Sequence, residues 1–285
     1  MAAFCWGIAG IFTKSITPHG FTALEMVFLK NFIGLIILFF ISLPKGKELF
    51  KIKNMSDLLN LIFAGVFGYA LYSFAFIETL NEMGVGIAGV MLYSKCAFVM
   101  IIMRILYREP ITAKKLVAMI MTIAGCISIS GMISSGNTTF TAKGMAWGIV
   151  SGIGFAIYDV FSKKSLDKYS SETVTFYIFL ISTVFTAFIA NPLTSFNKVL
   201  TTNTTILILS YGIVVSALPY FLYANGLSKM DVSLASVLST FELLTAAVAG
   251  IILYNEPLTI SKVAGIVLII GAVCVLNISV KKKYF

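Results

Sequence analysis

Two closely similar six-residue sequences occur in this chain. Residues 107–112 read Tyr-Arg-Glu-Pro-Ile-Thr, and residues 254–259 read Tyr-Asn-Glu-Pro-Leu-Thr. The similarity extends outward from this sequence, because residues 70–127 align without gaps with residues 217–274 at a constant offset of 147 residues. An internal repeat of this length predicts a chain built from two related halves.

The composition indicates the surroundings of both halves. Hydrophobic residues make up 59% of the 285 residues and charged residues 12%, whereas soluble domains are about half apolar and about a quarter charged. The mean hydropathy is +0.97. So much apolar surface excludes a soluble globular domain, a disordered chain and a fibre. We therefore expect an integral membrane protein that is embedded in a lipid bilayer.

Long apolar runs predict membrane-spanning helices, each of which needs about 20 mostly apolar residues. We count ten such runs and predict an all-α integral membrane protein with ten transmembrane helices. The short alternating segments that are typical of outer-membrane barrels do not fit these long unbroken runs. The predicted spans are residues 1–17, 21–42, 57–80, 86–106, 115–133, 143–162, 173–190, 205–227, 232–254 and 260–280.

The basic residues predict the orientation in the membrane. The formal net charge is +9, which in a soluble protein would suggest a nucleic-acid partner. Here it fits basic loops that face the cytoplasm, so we expect no nucleic-acid partner. With the N-terminus inside, most basic residues fall on the cytoplasmic side, and an even number of spans places both termini in the cytoplasm of a cell (inner) membrane protein. The basic residues left on the outer side are Lys14, Lys143, Lys198 and Lys262.

The two halves are expected to have opposite orientations. We place them at residues 1–137 and 138–285, and each begins with a Trp-Gly pair, Trp6-Gly7 in the first and Trp147-Gly148 in the second. Five helices in each half is an odd number, so the second half must be inverted relative to the first. Inverted repeats of this kind are a transporter architecture with the substrate site near the middle of the membrane.

These features resemble a known family. The Trp-Gly pair, the Glu-Pro loop before the last helix of each half, and the Gly/Ala-rich last helices at Ala124-Gly125 and Gly271-Ala272 resemble ten-helix, EamA-type members of the drug/metabolite transporter superfamily. The resemblance implies a carrier of small metabolites, most often an amino-acid exporter, while other members handle sugars, nucleosides, quaternary amines or sugar phosphates. It also implies that the last helix of each half lies at the periphery.

The chain departs from the family pattern at two positions. Lys30 stands in the second span where the family often has arginine, and Glu242-Leu243 stands in the ninth span where the family often has Glu-Pro. Without that proline, we expect the ninth span to be straighter than in the family.

Two charged residues near the middle of predicted spans are candidate substrate ligands. Lys95 and Glu242 occupy the same position of the repeat, and a charge at the membrane centre costs at least about 2.5 kcal/mol. One interpretation is that Lys95 receives a substrate carboxylate, while Glu242 receives a substrate amine or a coupling proton. The other is that Lys95 and Glu242 form a buried ion pair that only fixes the packing.

Further candidates for the substrate pathway are polar and aromatic. Tyrosines in a cavity attract an ammonium group, although packing against helices or lipid explains each of them equally well. The candidate residues are Tyr72, Tyr93, Tyr220, Tyr223 and Ser239, and Lys30 and Glu25 in an outer vestibule. For Asp159, an ion pair with Lys163 one helical turn away is the simplest expectation.

The sequence offers little support for other chemistry. The only histidine is His19, the four cysteines lie in apolar stretches, and no catalytic or nucleotide-binding motif is present. We therefore expect no catalytic residue, no metal site and no cofactor, and we disfavour an intramembrane enzyme. The leading hypothesis is secondary active or facilitative transport by alternating access, most often amino-acid export. Import of a quaternary amine such as choline is the alternative.

Overall fold

The computed structural model describes residues 1–130, 140–254 and 258–277, and within these residues it contains helices and no β-strand. The prediction of an all-helical protein is confirmed for this part of the chain. The α-helices are α1 Ala2–Gly7, α2 Ala9–Ile16, α3 Ala23–Ser42, α4 Met55–Ile62, α5 Leu71–Tyr93, α6 Lys95–Tyr107, α7 Ala113–Ile129, α8 Ala142–Leu166, α9 Ser171–Ala190, α10 Pro192–Thr201, α11 Thr205–Tyr211, α12 Leu218–Leu227, α13 Val232–Ser239, α14 Phe241–Tyr254 and α15 Ile260–Asn277.

Six helical stretches of the described residues are long and apolar enough to cross a membrane. A seventh apolar stretch, at Ile260–Leu276, is shorter. The six are Ala23–Gly46, Met55–Tyr107, Ala142–Leu166, Ser171–Ala190, Thr205–Leu227 and Val232–Ile252.

The longest of these stretches, Met55–Tyr107, contains a reversal of the chain at Gly84. Its φ of 82° lies in the left-handed region, where glycine is favoured because it lacks a Cβ atom. The parts of α5 before and after Gly84 both pack on α8, the first antiparallel to it and the second parallel. The close approaches that show this are Tyr72 to Gly154, Met83 to Gly144, Met91 to Gly148 and Ser94 to Gly152. Gly144, Gly148 and Gly152, which are spaced four residues apart on α8, therefore serve packing inside this chain.

Two further helices, α7 and α15, pack closely and antiparallel. Gly125 lies against Ile269, while Gly265 lies against Ile129 and the backbone oxygen of Gly125. The missing side chains at these two glycines let the backbones approach each other.

The irregular segments recur at corresponding places in the chain. Two π-helical segments, Phe63–Ala70 and Gly212–Ala217, precede α5 and α12. A helix ends at Tyr93 and restarts at Lys95, and likewise one ends at Ser239 and restarts at Phe241. The ninth span is interrupted for one residue at Thr240, whose dihedral angles stay in the right-handed helical region. That it is straighter than in the family stays a prediction.

Ion pairs connect distant parts of the chain at two places, one at the start of α3 and the other at the start of α4. At the first place, Glu25 of α3 accepts a hydrogen bond of 2.7 Å from Lys198 of α10. At the second place, Asp57 of α4 accepts hydrogen bonds from Lys168 at 2.6 Å and from the hydroxyl of Tyr169 at 2.8 Å. The hydrogen bond to the Asp57 carboxylate raises the pKa of the Lys168 amine.

The first Glu-Pro motif does not begin a helix. Glu109 and Pro110 precede α7, which starts at Ala113 with Thr112 as its N-cap. The Glu109 carboxylate instead lies 2.8 Å from the amine of Lys115. The second copy, Glu256-Pro257, lies outside the described residues, as does the predicted boundary between residues 137 and 138.

The contact between α7 and α15 generates a prediction. A Cβ atom at Gly265 would lie 2.6 Å from the backbone oxygen of Gly125, so Gly265→Ala must push the helices apart and lower the free energy of unfolding by about 1–3 kcal/mol. At Gly226 the nearest atom would be 3.8 Å away, so the matched control Gly226→Ala should be neutral or slightly stabilising. Thermal unfolding of the two detergent-purified variants measures both effects. Equal melting temperatures would contradict the close packing of α7 on α15.

Candidate functional site

A central cavity lies among helices from both predicted halves of the chain. Its volume is about 40 Å³, measured as the space open to the centre of a water-sized sphere. Most of the lining is apolar or aromatic, and charged groups come from α3 and α14. The lining includes Trp6, Lys30, Tyr72, Phe155, Tyr220 and Glu242.

Lys30 is a buried cation at this cavity. Its side chain is buried in α3, and its amine donates a hydrogen bond of 3.1 Å to the hydroxyl of Ser73. The amine also lies 5.3 Å from the centre of the Tyr69 ring. Among the described residues, no carboxylate forms an ion pair with Lys30. A buried cation without a counter-ion favours an anionic ligand in the space beside it.

Lys95 is paired with Asp159 of α8. The amine of Lys95 lies 3.1 Å from the Asp159 carboxylate, and both side chains are fully buried. The hydroxyl of Tyr223 donates a 2.9 Å hydrogen bond to the other carboxylate oxygen, and the Lys95 amine lies 3.3 Å from the centre of the Phe155 ring. The charge of Lys95 is therefore compensated within the protein.

This pairing corrects two predictions. The predicted ion pair between Lys95 and Glu242 is not formed, because Asp159 occupies the position of the counter-ion. The predicted pair of Asp159 with Lys163 is not formed either, since the amine of Lys163 lies 3.4 Å from Asp167 instead.

Glu242 lies in the first turn of α14, which begins directly after the interruption at Thr240. A carboxylate in the first turn of a helix is stabilised by the helix dipole. The hydroxyl of Tyr93 donates a hydrogen bond to this carboxylate and also lies 3.0 Å from the backbone oxygen of Ser239. Glu242 therefore faces the cavity without a basic partner among the described residues.

The remaining predicted site residues are distributed over several places. Tyr72 and Tyr220 line the central cavity, whereas Tyr223 and Ser239 line a second one. Glu25 lines neither cavity: it forms a capping box with Thr22 at the start of α3, in addition to its ion pair with Lys198.

The second cavity is separated from the first by the ring of Trp6. Its volume, measured in the same way, is about 140 Å³, and it lies toward the N-terminal end of α1. Trp6 lines both cavities, and its ring centre lies 4.9 Å from that of Tyr220 and 5.2 Å from that of Tyr223. Within the part of the chain that the structure describes, the indole N–H has no hydrogen-bond partner.

Several residues of this site were not among the candidate site residues predicted from the sequence. Trp6 entered only as part of a repeated pair, and Phe155 and Ser73 carried no charge that would single them out. Asp159 could have been recognised from the sequence as part of the site. It is a further charged residue inside a predicted span, and such a buried charge requires an opposite charge from another part of the chain.

Comparisons with known proteins agree with a helical membrane protein. The model of the EamA-like transporter family matches residues 1–131 and 142–278. An uncharacterized transporter of Archaeoglobus fulgidus is 26% identical over 96% of this chain and 93% of its own length. The uncharacterized transporter YwfM of Bacillus subtilis is 25% identical over 99% and 93%, respectively. The uncharacterized inner membrane transporter YicL of Salmonella typhimurium is 23% identical over 99% and 95%.

A solved structure titled "Crystal structure of protein" has the same fold, with a TM-score of 0.77 at 16% identity over 99% of this chain and 96% of that one. The apolar helices and the family match define a multi-pass membrane protein of a transporter class. The chain belongs to the EamA-like transporter family, which confirms the resemblance seen in the sequence.

The Lys95–Asp159 pair generates a prediction. Lys95→Met leaves a buried carboxylate without its cation and should lower the free energy of unfolding by about 3–5 kcal/mol. Adding Asp159→Asn should restore most of this loss, because the amide oxygen still accepts the hydrogen bond from Tyr223. Thermal unfolding of the single and double variants measures the effect. The matched control Lys95→Met/Glu242→Gln should stay destabilised, and restoration by Glu242→Gln would show that Glu242 is the true partner of Lys95.

Proposed function

We propose that this protein is a secondary active or facilitative transporter that moves a small zwitterionic metabolite, most simply an amino acid, out of the cell by alternating access. The family match and the names of the relatives support a transporter rather than an intramembrane enzyme. The amino-acid class and the exporting direction follow the commonest assignment that the family resemblance implies.

One observation carries the substrate class: Lys30 and Glu242 line the same cavity with opposite charges. An amino acid brings a carboxylate for Lys30 and an ammonium group for Glu242. Because Lys95 is already neutralised by Asp159, Lys30 replaces it in this proposal as the group that receives the carboxylate. The aromatic walls at Tyr72 and Tyr220 add a favourable quadrupole for the ammonium group.

The alternating-access mechanism rests on two inverted halves, residues 1–137 and 138–285, with five transmembrane helices each. The hydroxyls of Tyr69 and Ser216, which are 147 residues apart, lie 2.9 Å from each other. A contact between equivalent positions is expected where a two-fold axis passes between the halves. The antiparallel packing of α7 on α15, the last helices of the two halves, supports the same arrangement.

Both halves contribute to the cavity, so a rocking motion between them would change its access. Lys30 and Tyr72 come from the first half, and Tyr220 and Glu242 from the second. The ion pairs Glu25–Lys198 and Asp57–Lys168 join the halves at opposite ends. In the proposed cycle, one of these pairs opens on each side in turn. The asymmetry of basic residues supports cytoplasmic termini in an inner membrane.

Import of a quaternary amine such as choline is the second candidate. Aromatic residues line the cavity together with the carboxylate of Glu242, which is an arrangement typical of quaternary ammonium recognition. Among the described residues they are Trp6, Tyr72, Phe76, Phe155, Tyr211 and Tyr220. The pairing of Lys95 with Asp159 removes one cation that would oppose such a ligand. Lys30 distinguishes the two candidates, because it favours a carboxylate and repels a quaternary amine.

Ligand-dependent thermal stability tests the substrate class. We expect amino acids to raise the melting temperature of the detergent-purified protein, because a ligand that binds the native state stabilises it by mass action. Lys30→Met should abolish this shift and leave the ligand-free melting temperature nearly unchanged or higher, since it removes an uncompensated buried charge. The same panel includes choline, nucleosides and sugars. Stabilisation by choline alone, strengthened in Lys30→Met, would replace the amino-acid proposal with the quaternary-amine candidate.

Coupling to protons is tested at Glu242. If Glu242 carries the coupling proton, Glu242→Gln should abolish transport driven by a pH gradient in proteoliposomes, while substrate exchange without a gradient continues. Glu109→Gln, which changes a partly exposed carboxylate outside the cavity whose partner Lys115 lies in the same half of the chain, is the matched control and should keep the response to the gradient. Full pH-driven transport by the Glu242→Gln variant would exclude Glu242 as the coupling site.

A further inference from the structure

The ring of Trp6 stands at the boundary between two cavities. Ala2 and Ala3, which precede it, line only the second cavity, whereas Ala9 and Thr13, which follow it, line only the central one. The opposite wall changes in the same way, because Tyr220 lines the central cavity and Tyr223 the second. A substrate that moves from one cavity to the other along this wall must pass the indole of Trp6.

The indole N–H of Trp6 is a buried donor without an acceptor among the residues that the structure describes. Only 5% of the residue is exposed, and none of the described groups forms a hydrogen bond with its Nε1 atom. Buried polar groups are normally paired, and an exception calls for a specific explanation. The rings of Phe155, Tyr220 and Tyr223 pack around the indole, with ring centres 4.9–6.0 Å from its own.

We propose that the Trp6 N–H donates a hydrogen bond to a carboxylate oxygen of the substrate as the substrate passes between the two cavities. This assignment rests on the proposed function, because it requires a substrate with a carboxylate. An indole is a donor only, and a charged acceptor makes the stronger hydrogen bond. A simple or quaternary amine offers no acceptor to this group, so Trp6 contributes to selectivity for the zwitterion.

The other tryptophan provides the matched control. Trp147 belongs to the second Trp-Gly pair of the repeat, but it lies among neither set of cavity-lining residues. Its ring packs edge-on against Phe74 with a distance of 5.2 Å between the ring centres. The chain contains two tryptophans, so Trp147→Phe leaves Trp6 as the single tryptophan and as the only site for a tryptophan analogue.

The test replaces one group in the Trp6 ring. In the Trp147→Phe protein, Trp6 is replaced by β-(3-benzothienyl)alanine, in which sulfur takes the place of the N–H and the ring shape is kept. Trp6→Phe is made as a second variant that is fully encoded. Binding is measured by thermal stabilisation with the twenty standard amino acids and their decarboxylated amines, for example leucine and isoamylamine.

We expect the loss of the N–H to raise the Kd of the amino acids that bind by about tenfold or more, and to leave the Kd of the amines unchanged. An unchanged Kd for the amino acids would overturn the assignment of Trp6 as a donor. An equal loss for an amino acid and its amine would also overturn it, since the ring alone would then explain the effect. Failure of every amino acid to bind the unmodified protein would instead refute the proposed substrate class, and with it this role of Trp6.

Discussion

The buried ion pair between Lys95 and Asp159 is the interaction on which the centre of this protein depends. It connects α6 to α8, and the hydroxyl of Tyr223 adds α12 to the same group of atoms. Lys95 is the first residue of α6, where the helix dipole disfavours a cation. A counter-ion is therefore required at this point, and α8 supplies it from a distant part of the chain. Neutralising this lysine is what leaves Lys30 and Glu242 as the charges that face the central cavity.

Much of the fold could be predicted from the sequence, because the relevant signals are long and repetitive. Composition and apolar runs indicated a helical membrane protein, which is confirmed for the described residues. The two halves indicated by the internal repeat stay a prediction. The turn between the third and fourth predicted spans also agrees with the structure, since the chain reverses at Gly84. The Glu109-Pro110 motif lies in the loop before α7, where the family resemblance places it.

The site was predicted less well, because it depends on how separate helices meet. Tyr93 and Lys95 are two residues apart but have different partners. Tyr93 donates a hydrogen bond to Glu242, whereas Lys95 pairs with Asp159, and neither partner follows from the local sequence. Repeat symmetry drew attention to Lys95 and Glu242, but it carries no information on a partner such as Asp159 that the repeat does not contain in matching form.

The contact between Tyr69 and Ser216 illustrates what a single chain can do that a pair of identical chains cannot. In a dimer of identical subunits, a residue on the two-fold axis faces its own copy, so a large side chain must face an equally large one. A continuous chain is free of that restriction, and here a tyrosine faces a serine across 2.9 Å. The same freedom allows a lysine at position 95 and a glutamate at position 242 of aligned segments. Covalent joining of two similar units thus permits a charge distribution with a direction, which suits the proposed zwitterionic substrate, whose two ends differ.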